Sequence, residues 1–165
     1  MVTEVACNVG IRRSRGSFVA CKMADTFYSK ELISFLGKKT LKDEEVYRLD
    51  RLSVKSKFPP PSDWETYFNQ NIVLRKSSKK DTPHVKACGD FLLMSKKNWE
   101  LIRGVPENNS ITLNGADGEA LYAALGLGAK QVYLKDKICV YKIIHENMYP
   151  LELKENYFLN NFKKF

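Results

Sequence analysis

The sequence predicts an α/β domain. Short apolar runs of strand length alternate with capped, amphipathic helical stretches over most of the chain. An acidic residue, Asp25, stands directly after the first such run, where open α/β sheets bind ligands. At 165 residues the chain suits a single domain able to bury roughly two-thirds of its surface on folding.

The elements follow in order. Val5 to Ser14 suit a helix ended by Gly16, with Arg12 and Arg13 in a basic last turn that complements the helix dipole. Phe18 to Met23 reads as a short buried strand running into Ala24 and Asp25. Ser29 caps a second helix, whose Leu32, Ile33, Phe35 and Leu36 form an apolar face before Gly37. Val46 to Asp50 alternates as a strand does, and residues 51–86 then read as an irregular, basic flap. That flap carries Pro59, Pro60 and Pro61, then Trp64, Tyr67 and Phe68, aromatics suited either to stack on a sugar ring or to pin the loop to the core.

Phe91 to Met94 is a fully apolar strand. Ser95 caps a helix bearing Trp99 and Ile102, closed by Gly104 and Pro106. A further helix covers Asp117 to Leu127, and two strands follow, around Gln131–Leu134 and Ile138–His145. The domain spans 1–147, and 148–165 form an aromatic, lysine-rich tail that suits a segment covering its own core. Gly126 and Gly128 make no dinucleotide fingerprint, because neither a third glycine nor a preceding strand accompanies them.

Composition excludes several classes. Apolar residues make up 44% of the chain and charged residues 28%, proportions of a globular domain and not of a disordered chain. No apolar run approaches the roughly 20 residues that span a bilayer, and no secretory leader is evident, so the expectation is a cytoplasmic protein. Cys7, Cys21, Cys88 and Cys139 lie far apart without metal-ligand spacing and read as reduced thiols. The net charge of +8 is spread over several short clusters and matches no nucleic-acid motif, which suits a soluble basic surface that attracts anionic substrates.

Four motifs in order carry a family resemblance. Cys7-Asn8-Val9-Gly10-Ile11-Arg12-Arg13-Ser14-Arg15-Gly16, then a strand and Ala24-Asp25, resembles the middle of GT-A-fold glycosyltransferases of the family-2 type. His84-x-x-Ala87-Cys88-Gly89-Asp90-Phe91, then Trp99, then Arg103-Gly104-Val105-Pro106-Glu107, resembles the next stretch of a bacterial subgroup. Asp117-Gly118 matches that family's acid at a helix head. Val140 to His145 is similar to its "Y-H-I-E-H" strand, with Lys142 and Ile144 in place of the first His and the Glu. The resemblance begins after the family's nucleotide-binding β-α-β-α segment.

The resemblance implies a partial, Rossmann-like three-layer GT-A domain with a mostly parallel sheet, truncated at its nucleotide-binding edge. It implies transfer of a hexose from a nucleotide sugar to a saccharide-type acceptor, by a chain that is either a competent minimal enzyme or an inactive or split half whose missing part lies on another polypeptide. Asp25 and His145 would hold Mn²⁺ or Mg²⁺, since hard divalent ions take oxygen ligands and accept imidazole. Arg12 and Arg13 are candidates to pair with the diphosphate beside Asp25. Asp117 is the candidate general base, and His84 and Asp90 are candidate substrate contacts. A bare sheet edge would invite a partner chain or a second copy.

Each assignment has a plainer counterpart. Asp25 and Asp117 both stand where an acid caps a helix, Asp90 follows Gly89 in a turn, and His145 ends an apolar strand. Two other functions fit the same residues: a non-catalytic carbohydrate- or protein-binding module, and a basic nucleic-acid-associated protein whose affinity would fall steeply with salt.

Overall fold

A computed structural model of the chain describes residues 3–38, 40–56, 59–77, 82–107 and 115–144. The expected tail, 148–165, and His145 lie outside them. The elements are α1 (Thr3–Arg13), β1 (Phe18–Cys21), β2 (Thr26–Tyr28), α2 (Lys30–Gly37), β3 (Glu45–Val54), α3 (Trp64–Gln70), β4 (Ile72–Lys76), β5 (Leu92–Ser95), α4 (Lys96–Leu101), α5 (Ala116–Gly126) and β6 (Lys130–Ile143). A single 3₁₀ turn, Cys88–Asp90, precedes β5.

The strands form one mixed sheet in the order β1-β5-β3-β6-β2, with β4 added to β3. The sheet differs from the expected mostly parallel one. Among the described residues, only β3 and β6 run parallel; the β1–β5, β2–β6, β3–β4 and β3–β5 pairings are antiparallel. β5 lies beside the first half of β3 through Val46 and Tyr47, and β4 takes over the same strand from Arg51 onward. The loop leading into β5 therefore enters the sheet between them.

Alternation along β3 and β5 sends apolar side chains to both faces. Val46, Leu92 and Met94 meet Ile11, Trp99, Ala120, Leu121 and Ala124 of α1, α4 and α5 on one face. Tyr47, Leu49, Leu93 and Val140 meet Leu32 of α2 on the other, joined by Phe35 and Leu36. Helices thus cover both faces of the sheet.

Local chemistry fixes the helix starts. Ser29 Oγ accepts from the Leu32 N–H at 3.1 Å, and Ser95 Oγ accepts from the Asn98 N–H at 3.2 Å. Ser29 also staples α2 to the sheet, because its Oγ accepts from the Cys139 N–H at 3.2 Å.

Two stretches differ from expectation. Residues 51–86 are not one irregular flap: they hold the end of β3, all of α3 and β4. Trp64, Tyr67 and Phe68 pin α3 to a third cluster with Leu52, Tyr141 and Ile143, and Phe68 is fully buried. The two expected C-terminal strands are one, β6. Its register against β3 jumps from Leu49–Leu134 to Asp50–Cys139, so the polar residues between are extruded as a bulge. Asp136 sits there with φ of 63°. No described helix is long and apolar enough to cross a membrane.

Candidate functional site

The carboxyl end of β1 lies beside the amino end of β5, level with the middle of β3, and the amino end of β2 lies beside the carboxyl ends of β3 and β6: Cys21 pairs with Leu92, and Ser53 and Thr26 both pair with Lys142. Asp25 is the residue before Thr26. Asp90 ends the 3₁₀ turn just before β5. Two acids distant in sequence are thereby brought within reach of one side chain, Lys142.

Lys142 Nζ donates to Asp90 Oδ1 at 3.0 Å and stands 3.7 Å from Asp25 Oδ2. Arg51 Nη1 donates to the other Asp90 oxygen, Oδ2, at 2.9 Å. Arg51 and Lys142 arise on adjacent strands on the same face, Arg51 lying one pleat repeat before Ser53, the register partner of Lys142. The Lys142 side chain is 8% exposed and that of Asp25 27%, so the cluster meets solvent through Asp25. Lysine is almost never this buried unless paired. Ser53 Oγ, beside Lys142, is buried with no hydrogen-bond partner among the described residues.

Asp117, in the first turn of α5, accepts the Gly89 N–H through Oδ2. A Cβ at Gly89 would lie 3.1 Å from that oxygen, so a side chain there would press Asp117 back by a few tenths of an ångström. The contact ties the head of α5 to the residue before Asp90. Asp117 is half-buried, and its other oxygen is not used in this contact.

His84 is buried away from these acids. Its Nε2 faces the Leu49 carbonyl at 2.8 Å, which makes Nε2 the protonated nitrogen. Its ring meets Tyr133 edge-on, and its backbone carbonyl accepts from Arg48 Nε at 2.9 Å. Burial, and then the Arg48 guanidinium, push the His84 pKa down to about 4. His84 is a neutral pin inside the fold, 1% exposed.

Arg12 and Arg13 stand at the far end of β1 from Asp25. The Lys96 ammonium donates to the carbonyls of Arg12 and Ser14, beside the paired residues Phe18 and Ser95. Arg12 instead lines a cleft of about 400 Å³ with Asn8, Ile11, Trp99, Glu100, Arg103 and Gly104. The structure thus brings together Asp25 and Asp90, links Asp117 to them through Gly89, and separates His84, Arg12 and Arg13.

No protein-family profile matches the chain, and no curated protein does either. What the site can do therefore rests on its own residues.

Mn²⁺ or Mg²⁺ does not fit this cluster. The expected ligand pair is Asp25 and His145, and His145 lies outside the described residues. Within the described cluster, Asp25 and Asp90 already share an ammonium, and Arg51 takes the remaining oxygen of Asp90. Among the described residues, two negative and two positive side chains meet in this cluster. At about 4 Å, like unit charges near a protein surface repel by about 4 kcal/mol, and a divalent ion beside Lys142 would meet roughly twice that. Among the described residues, no group of three or more His, Cys, Asp or Glu could hold a metal ion.

Sequence reasoning missed Arg51 and treated Lys142 only as a substitution. It also missed Arg48, fully buried, which donates to the carbonyls of His84 and Lys86, both at 2.9 Å, and so shapes the loop leading to Asp90. The available signal was the crowding of Arg48 and Asp50 in the predicted strand and Arg51 directly after it. Buried charge in a strand demands partners.

Proposed function

We propose that this chain is the acceptor-side part of a glycosyltransferase-like protein, whose Asp25–Lys142–Asp90–Arg51 cluster holds the hydroxyls of a saccharide during hexose transfer from a nucleotide sugar. The observation that carries the reading is the convergence of Asp25, which follows β1, and Asp90, which precedes β5, on Lys142 of β6. Carboxylates are acceptor-only groups that take two or more hydroxyl donors each, which is what a sugar ring offers. The cluster's cations are already neutralised by its carboxylates, so it suits a neutral, hydroxyl-rich ligand better than a free diphosphate. In transfer, the acceptor oxygen bonds to the anomeric carbon, the nucleoside diphosphate leaves, and the hydroxyl proton passes to a carboxylate. Asp117 is the candidate for that proton, through the oxygen that does not hold Gly89.

The engagement of both Asp90 oxygens by protein cations also favours a second reading, a non-catalytic carbohydrate-binding module. Incubating the chain with UDP- and GDP-hexoses and a saccharide acceptor panel, followed by mass spectrometry, separates the two. An acceptor gaining one hexose, abolished in Asp117→Asn, supports transfer. Saccharide binding without any mass gain supports the binding module, and neither binding nor transfer rejects both.

A further inference from the structure

We infer that Lys142 is a built-in replacement for a divalent cation: its ammonium occupies the space between Asp25 and Asp90, so ligand recognition at this cluster is metal-independent, and removing the ammonium uncovers a hard-cation site. The role assigned to ligand recognition rests on the proposed saccharide reading; the exclusion of metal does not.

Three observations point the same way. Lys142 belongs to β6, an interior strand flanked by β3 and β2, so its backbone position is fixed by hydrogen bonding on both sides. Its ammonium lies 3.0 Å from Asp90 Oδ1 and 3.7 Å from Asp25 Oδ2, bridging acids that come from separate parts of the chain. Arg51, 2.9 Å from the second Asp90 oxygen, sets a second cation against the two acids among the described residues. Mg²⁺ demands oxygens at about 2.0–2.1 Å in near-octahedral array. An ion bonded to both acids would have to displace the Lys142 side chain, which is 8% exposed.

The role is positional as well as electrostatic. A metal ion must be captured from solution, whereas a lysine on an interior strand is present whenever the sheet is folded. It holds Asp25 and Asp90 at a fixed separation, and two acids that would otherwise repel are kept side by side.

Mn²⁺ binding to the full chain, read by electron paramagnetic resonance of free ion and by water-proton relaxation, tests this without any sugar. The wild-type chain should bind Mn²⁺ no better than the Asp25→Asn variant. Lys142→Met should gain at least tenfold in Mn²⁺ affinity, and the gain should disappear in the Lys142→Met, Asp25→Asn double variant. Wild-type chain that binds Mn²⁺ stoichiometrically and loses it with Asp25→Asn would overturn the inference. So would a folded Lys142→Met chain with unchanged affinity. Should Lys142→Met not fold, the wild-type and Asp25→Asn titrations decide alone, since Asp25 lies at the solvent side of the cluster. Saccharide titration in EDTA is a separate readout, so failure of the saccharide reading leaves the metal result standing.

Discussion

Asn8 holds both backbone groups of Val105. The Val105 N–H donates to Asn8 Oδ1 at 2.7 Å, and Asn8 Nδ2 donates to the Val105 carbonyl at 2.8 Å. The same Nδ2 reaches Glu107 Oε1 at 2.7 Å. One buried amide on α1 thus fixes the turn that closes α4, far along the chain. Gly104 permits it: its φ is 83°, and a Cβ there would collide with Asn8 Oδ1.

Asn8→Ala would strand a buried Val105 N–H, at a cost of roughly 1–3 kcal/mol. Gly104→Ala adds a positive-φ penalty to a clash and should destabilise at least as much. Thermal melts should fall by about 2–4 °C for each kcal/mol lost. Melts unchanged in both variants would mean that the clamp does not contribute to stability.

The charge cluster should respond unevenly to substitution. Lys142→Met leaves Asp90 paired only with Arg51 and should cost about 3–5 kcal/mol, as for a broken buried ion pair. Asp25→Asn, at the solvent side of the cluster, should cost under about 1 kcal/mol. Urea unfolding measures both, and equal costs would argue against the burial gradient across the site.

Acid should weaken the fold through His84. Its pKa of about 4 in the folded chain lies below the ordinary 6.5, so the unfolded chain binds the proton more readily. The groups around the ring are Arg48, Tyr133, Asp50 and Lys86. The stability that comes from keeping His84 neutral is complete above about pH 6.5 and is lost as pH falls towards 4, amounting to about 3 kcal/mol. Urea midpoints between pH 7 and 4 should fall accordingly, with a shallower fall in His84→Phe. Identical slopes in the two chains would contradict the assignment.

The thiols should be slow to alkylate in the folded state. Burial raises the Cys21 and Cys88 pKa values to about 12 and that of Cys139 to about 11. Iodoacetamide at pH 8 should leave Cys88 and Cys139, both buried, unmodified until denaturant is added. Rapid native labelling of either would contradict their placement.

Much of the α/β framework was legible in the sequence. The serine caps at Ser29 and Ser95, and the apolar runs of β1 and β5, depend on local chemistry that sequence displays directly. Strand direction was not legible, because it follows from pairings between distant segments: β1 and β5 meet antiparallel, Phe18 opposite Ser95. α3 was hidden by the neighbouring prolines and basic residues, although its aromatics bury against Tyr141. β6 looked like two strands because Lys135, Asp136 and Lys137 read as a turn, whereas the register of β3 carries the strand past them. At the site, Asp25 and Asp90 were visible as acids near strand ends. Their meeting on Lys142 was not, because sequence does not show which strand lies beside which.

Calorimetric titration of the wild-type and Asp25→Asn chains with saccharides and with UDP- and GDP-hexoses, in EDTA, tests the central claim most directly. Binding of a saccharide or nucleotide sugar that persists without metal and weakens at least tenfold in Asp25→Asn is the expected result. Absence of binding to any of them, or binding indifferent to Asp25, would contradict the assignment of the Asp25–Lys142–Asp90 cluster as the site.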